Sequence, residues 1–120
     1  MQNGPVAIVT GGGSGVGFAS AQRLCELGWQ VVICGRRIEP LLVLSTAFQK
    51  IHSIQADVSI PEDVNRLFAE TVNLYGRVDL LFNNAGRGTS PVSIDELPVQ
   101  EWLATVAVNL TGAWLCSRAA

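Results

Sequence analysis

Short apolar runs alternate along the chain with longer stretches in which apolar residues recur every three or four positions, a pattern that predicts β-α-β-α units. Val6 to Thr10 is a continuous apolar run, as suits a strand covered on both faces. A glycine-rich turn, Gly11 to Gly17, leads into a helix predicted over Val16 to Leu27, with Val16, Ala19, Leu24 and Leu27 on its apolar face and Gly28 as its stop. A second strand is predicted over Val31 to Gly35, and a helix over Ile38 to Phe48 with Pro40 in its first turn. Ile51 to Gln55 reads as the third strand, and Pro61 opens a helix whose stripe is Val64, Leu67, Phe68, Thr71, Val72 and Tyr75. The fourth strand is predicted over Val78 to Phe82, followed by a loop with the turn formers Gly88, Ser90 and Pro91. The last helix begins near Val99 and runs to Ala120. Trp102, Val106 and Ala113 lie on one side of it and Leu103, Ala107, Leu110 and Trp114 on the other, which predicts burial on several faces.

Composition narrows the partners. Apolar residues make up 48% of the 120 positions and charged ones 15%, enough for one domain with a core and against disorder. The net charge of -2 is scattered, with no basic block to neutralise a row of phosphates, so nucleic acid is not an expected partner. The apolar runs are too short to span a bilayer, and Met1-Gln-Asn-Gly-Pro lacks a basic n-region leading into an apolar one, so the expectation is a cytoplasmic protein without a membrane partner. Cys25, Cys34 and Cys116 lack the paired spacing of a zinc or redox site and read as small buried hydrophobes, so no metal site is expected. His52 has no carboxylate or cysteine partner nearby and reads as a surface or edge residue. Trp29, Trp102 and Trp114 read as packing residues. Asn109-Leu110-Thr111 fits a glycosylation sequon, but its helical setting gives that reading no weight.

The glycine-rich turn carries the first chemistry. It follows a buried strand and opens a helix, so free N–H groups and the positive end of the helix dipole face whatever binds there. Glycines let the backbone approach a pyrophosphate without an intervening Cβ. The phosphate loop with Gly-Lys-Ser/Thr is excluded, because Phe18 and Ala19 follow Gly17. The spacing G-x-G-x-x-G fails in every register. The spacing T-G-x-x-x-G-x-G fits, through Thr10, Gly11, Gly15 and Gly17.

With Asp57-Val58 after strand three, Asn83-Asn84-Ala85-Gly86 after strand four and Asn109-Leu110-Thr111-Gly112 in the last helix, the chain resembles the first half of the short-chain dehydrogenase/reductase family. The resemblance implies an α/β fold, a Rossmann-like doubly wound parallel sheet ordered 3-2-1-4-5-6-7, of which residues 1-120 supply about four strands as the nucleotide-binding part of a single domain. It implies that Thr10, Gly11, Gly13, Ser14, Gly15, Val16 and Gly17 meet the cofactor, with Gly11, Gly15 and Gly17 around the pyrophosphate. It further implies that Asp57 accepts a hydrogen bond from the adenine amino group, that Val58 touches the ring, and that Asn83, Ala85 and Gly86 line the ribose side. Asn109, as the catalytic residue of this half, would sit at a bend in the last helix and hold a water of the proton relay. On the residues alone, Asp57 is a turn or cap residue and Asn109 a polar group in need of a partner.

At the end of strand two, where an NAD site carries an acid, stands Gly35, followed by Arg36 and Arg37, whose guanidinium forks suit a 2′-phosphate. NADP is therefore the expected cofactor, with NAD possible. Ser14 stands where many NADP-preferring members carry a basic residue. The family's carbonyl reduction or alcohol oxidation uses a Tyr-x-x-x-Lys pair and a serine, the lysine favouring the phenolate. The single tyrosine, Tyr75, and the single lysine, Lys50, are not so spaced. Three readings stay open: the cofactor-binding half of an oxidoreductase acting on a small carbonyl or alcohol, a non-catalytic nucleotide-binding module completed by a partner chain, and a structural fragment that binds nothing. The resemblance implies homo-oligomers, often tetramers, with the last helix at an interface. Leu80-Leu81-Phe82 is expected to present an apolar sheet edge. The isolated chain is accordingly predicted to associate; analytical ultracentrifugation showing a monodisperse monomer would count against this.

Overall fold

The computed structural model describes residues 4–120; Met1 to Asn3, where the absence of a basic leader is read, lie outside the described residues. Four parallel strands form one sheet in the order β3-β2-β1-β4: β1 (Val6–Thr10), β2 (Gln30–Gly35), β3 (Ile51–Gln55) and β4 (Leu80–Phe82). In register, Ile8 stands opposite Val32 on one side and Leu81 on the other, and Val32 opposite His52. The expected strand order is met as far as it runs.

Helices cover both faces because successive strand side chains point to opposite sides. Val9, Val31, Ile33 and Ile51 face α1 (Gly15–Glu26) and α2 (Ile38–Ala47), which bury Ala21, Leu41 and Leu44 against them. Ile8, Val32, Cys34 and Ile54 face the other way, toward α3 (Pro61–Tyr75) and α5 (Ala113–Ala119), which supply Val64, Leu67, Phe68, Leu115 and Cys116. Cys34 and Cys116 are indeed small buried residues, while Cys25 is half-buried.

Three expectations need correction. The inner face of α1 is Gly17 and Ala21, with Phe18, Leu24 and Cys25 beside them; Val16 and Leu27 point to solvent. Small side chains there let the helix lie close to the sheet. The last helix is two helices, α4 (Val99–Val106) and α5, joined by a π-helical segment, Ala107–Gly112. It is not buried on several faces: Trp102, Leu103, Leu110 and Trp114 are each more than half exposed, and only Gly112, Leu115 and Cys116 are buried. Trp102 and Trp114 are thus not core packing residues, and Trp114 instead carries the Arg118 guanidinium 4.7 Å above its ring. β4 is also two residues shorter than expected.

The Asp79 carboxylate accepts the Val6 N–H at 2.8 Å and two Arg77 N–H groups at 2.8 and 2.7 Å, while its own N–H donates to the Val6 carbonyl at 2.8 Å. Arg77, and then the Val6 amide, hold its pKa below the usual carboxylate value. A depressed folded-state pKa contributes stability that is present above the unfolded value and lost as pH falls through the folded one. Asp79→Asn is therefore expected to flatten the loss of stability on acidification below about pH 4, and urea denaturation at several pH values measures it. A variant whose acid limb superimposes on the parent's would remove this role.

Candidate functional site

The C-terminal ends of the four strands open into one cleft of about 440 Å³, within the range of small-molecule sites. Gly11, Gly13 and Ser14 line it from the turn after β1, Arg36 and Arg37 from the end of β2, Asp57 and Val58 from beyond β3, and Ala85 and Gly86 from beyond β4. The strands end here because each runs into a loop at the same level, tied by the bonds from Gly12 N–H to the Cys34 carbonyl at 3.2 Å and from Ala56 N–H to the Gly35 carbonyl at 2.9 Å.

Thr10 aligns the two central loops. Its buried Oγ1 accepts the N–H groups of Asn84 at 3.0 Å and Ala85 at 2.9 Å, and donates to the Phe82 carbonyl at 3.4 Å. The Asn84 side-chain amide donates to the Gly11 carbonyl at 3.1 Å. Gly11 has a positive φ of 65°, and a Cβ there would stand 2.9 Å from the Ala85 Cα. At Gly17 a Cβ would overlap the Gly11 carbonyl oxygen and the Asn84 amide. The turn and the Asn83–Gly86 loop are therefore in direct contact, and glycine is required on the turn side.

Ser14 caps α1 with extended backbone and no side-chain hydrogen bond, leaving the first-turn N–H groups directed outward. Gly15 and Val16 belong to that first turn and are exposed. Arg36 and Arg37 are exposed, and the Arg36 carbonyl accepts the Gln55 side-chain amide at 2.8 Å, which fixes the backbone there. Asp57 does serve as a turn residue: its Oδ1 accepts the Ser59 N–H and hydroxyl at 2.9 and 2.6 Å, and its N–H donates to Asp63. Its Oδ2 receives no protein hydrogen bond among the described residues.

Six expected site residues do not line the main cleft: Thr10, Gly15, Val16 and Gly17 around the turn, and Asn83 and Asn109 farther along the chain. Asn83 donates to Ser117 Oγ at 3.1 Å and lines, with Thr10, a small crevice beneath it. Asn109 lies in the π-helical segment, where Oδ1 accepts the Arg87 N–H at 2.8 Å and Nδ2 donates to the Arg87 carbonyl at 2.9 Å. Both of its amide groups are thus engaged with one backbone residue. Sequence reasoning overlooked Asn84, Arg87, Gln55 and the cleft wall formed by Pro40, Leu41 and Val108. The available signals were the motif that contains Asn84 and the helical spacing of Leu41.

Other reactive groups do not converge here. Cys34 lies at the base of the cleft, but burial, and then the neighbouring Cys116, push its thiol up to about 12, so it stays protonated near neutral pH. Tyr75 is half-buried on α3, where burial raises its pKa, and Lys50 lies in the turn before β3. His52 is exposed within β3. Among the described residues there is no cluster of metal-binding side chains, and no helix is long and apolar enough to cross a membrane.

Comparison with known proteins gives the same picture. The family model described as short chain dehydrogenase matches residues 5–120. An uncharacterized oxidoreductase of Thermotoga maritima is 40% identical over 98% of this chain and 47% of its own length. A probable 2,4-dienoyl-CoA reductase of Bacillus subtilis is 35% identical over 94% of this chain and 46% of its own. Among solved structures, a variant of the actinorhodin polyketide ketoreductase with NADPH superimposes with a TM-score of 0.91 at 35% identity, over 96% of this chain and 45% of that one. The chain thus spans less than half the length of these relatives.

Removing the Thr10 hydroxyl while keeping its shape tests the alignment of the loops. Thr10→Val leaves two inward N–H groups without an acceptor and is expected to cost about 1–3 kcal/mol in chemical denaturation, with Thr10→Ser restoring most of it. Equal losses in the two variants would assign the effect to packing.

Proposed function

This chain belongs to the short-chain dehydrogenase family, and on that premise we propose that it is the cofactor-binding half of an NADP-dependent oxidoreductase acting on a small carbonyl or alcohol. One observation carries the reading: a single cleft gathers the glycine turn, both arginines at the end of β2, Asp57 with Val58, and Ala85 with Gly86. A dinucleotide fits these residues. The open space beside Gly15, where a Cβ would meet nothing within 4 Å, and the first-turn N–H groups of α1 suit a pyrophosphate held against backbone. Val58 offers an apolar surface for the adenine ring, and Asp57 Oδ2 has an acceptor to spare for its amino group.

Arg36 and Arg37 favour NADP over NAD, since neither has a carboxylate partner among the described residues and no acid stands at Gly35 to repel a 2′-phosphate. When bound, the nicotinamide supplies or accepts the hydride. The chain's own part is to hold the dinucleotide along the strand ends and to set the loop after β4 in place. Asn109 fixes that loop through Arg87, and proton transfer falls to groups other than Tyr75 and Lys50. Homo-oligomers with α4 and α5 at an interface are supported by the exposed Trp102, Leu103, Leu110 and Trp114, and a reducing, cytoplasmic setting by three free cysteines.

Titration of the chain with NADP(H) and NAD(H), followed by tryptophan and NADPH fluorescence, tests the reading. Saturable binding with NADP preferred is expected, and Arg36→Ala is expected to weaken NADP about tenfold while leaving NAD unchanged. Equal losses for both would sink the NADP assignment. Folded chain that binds neither nucleotide would sink the cofactor reading altogether.

A further inference from the structure

The arginines of the chain sort by partner. Arg23, Arg66 and Arg77 pair with Glu26, Asp63 and Asp79, and Arg118 stacks on Trp114. The remaining three, Arg36, Arg37 and Arg87, have no carboxylate partner among the described residues, and all three line the same cleft. Its one acidic lining residue, Asp57, has an oxygen committed to Ser59. Three cations facing one acid in an open cleft are an arrangement that calls for an anion.

Arg87 differs from the other two in how it is held. Asn109 binds both its N–H and its carbonyl, at 2.8 and 2.9 Å, so the backbone from which the guanidinium projects is fixed by a side chain 22 positions away. Two residues earlier, Ala85 is locked to Thr10 and packs against Gly11. Arg87 therefore rises from the loop that abuts the glycine turn, whereas Arg36 and Arg37 stand at the end of β2. Its half-buried side chain lines the cleft from the side on which Ala85 abuts the turn.

We infer that Arg87 meets the pyrophosphate of the dinucleotide, closing over the phosphates from the β4 side while the glycine turn holds them from the β1 side. The inference rests on the dinucleotide reading above and adds a side-chain cation to a site otherwise made of backbone. It separates the labour of the arginines: Arg36 distinguishes NADP from NAD, and Arg87 does not.

The test is isothermal titration of the chain and its Arg87→Ala, Arg87→Lys and Arg118→Ala variants with NADP+, NAD+ and inorganic pyrophosphate, with circular dichroism to confirm folding. Arg87→Ala is expected to weaken NADP+ and NAD+ by the same factor, about tenfold, and to weaken pyrophosphate as well. Arg87→Lys should recover part of each loss, and Arg118→Ala, with the same change of net charge, should lose nothing. Unchanged affinities in a folded Arg87→Ala variant overturn the inference and leave the dinucleotide reading standing. A loss confined to NADP+ also overturns it, by moving Arg87 to the 2′-phosphate. Parent chain that is folded and binds no nucleotide overturns both.

Discussion

Thr10 Oγ1 accepts two successive backbone N–H groups from a loop more than seventy residues away in sequence, and the Asn84 amide answers by donating to the Gly11 carbonyl. That exchange is possible only because Gly17 carries no Cβ where the carbonyl and the amide meet. A hydroxyl, an amide and a missing methyl thus act as one unit. The groups are buried or half-buried, so each bond replaces one to water that folding has removed. Gly13, Ser14, Ala85 and Gly86 all take their positions in the cleft from this contact.

The apolar layers beneath set the level at which it occurs. With the sheet buried on both faces by α1 and α2 on one side and α3 and α5 on the other, the strand ends are held rigidly, and loops leaving them share one rim. Polar ties then settle each loop: Asp79 to Val6 at the bottom of the sheet, Gln55 to Arg36 and Asn109 to Arg87 at the top. The exposed ion pairs Arg23–Glu26 and Arg66–Asp63 add little beside these.

Val6–Thr10 was legible because a doubly covered parallel strand is an unbroken apolar run, and Ile51–Gln55, an edge strand of mixed polarity, also lies where it was expected. The face of α1 was not, since a search for large apolar residues passes over Gly17 and Ala21, the positions that let a helix approach a sheet. Apolarity in α4 and α5 pointed to burial, yet Trp102 and Leu110 are exposed in this chain. Most of the cleft was readable from its glycines, Arg36, Arg37 and Asp57, because those residue types have a reason to be together. Asn84 was read only as a member of its motif, without the carbonyl it binds, and Arg87, a cation fixed through its backbone, left no spacing to read.

The π-helical segment has a consequence for how the chain tolerates change in length. A turn of this kind amounts to one extra residue lodged in an α-helix. Deleting a residue between Ala107 and Gly112 would let an ordinary helix form with the turns on either side keeping their faces, whereas a deletion inside α5 would rotate everything beyond it by about 100°. The shortened segment would keep Leu115 and Cys116 in the core, and what it would lose is the line from the Asn109 amide to Arg87. The segment should therefore tolerate the loss of one residue better than α4 or α5 would, the cost falling on the Arg87 loop and not on the core.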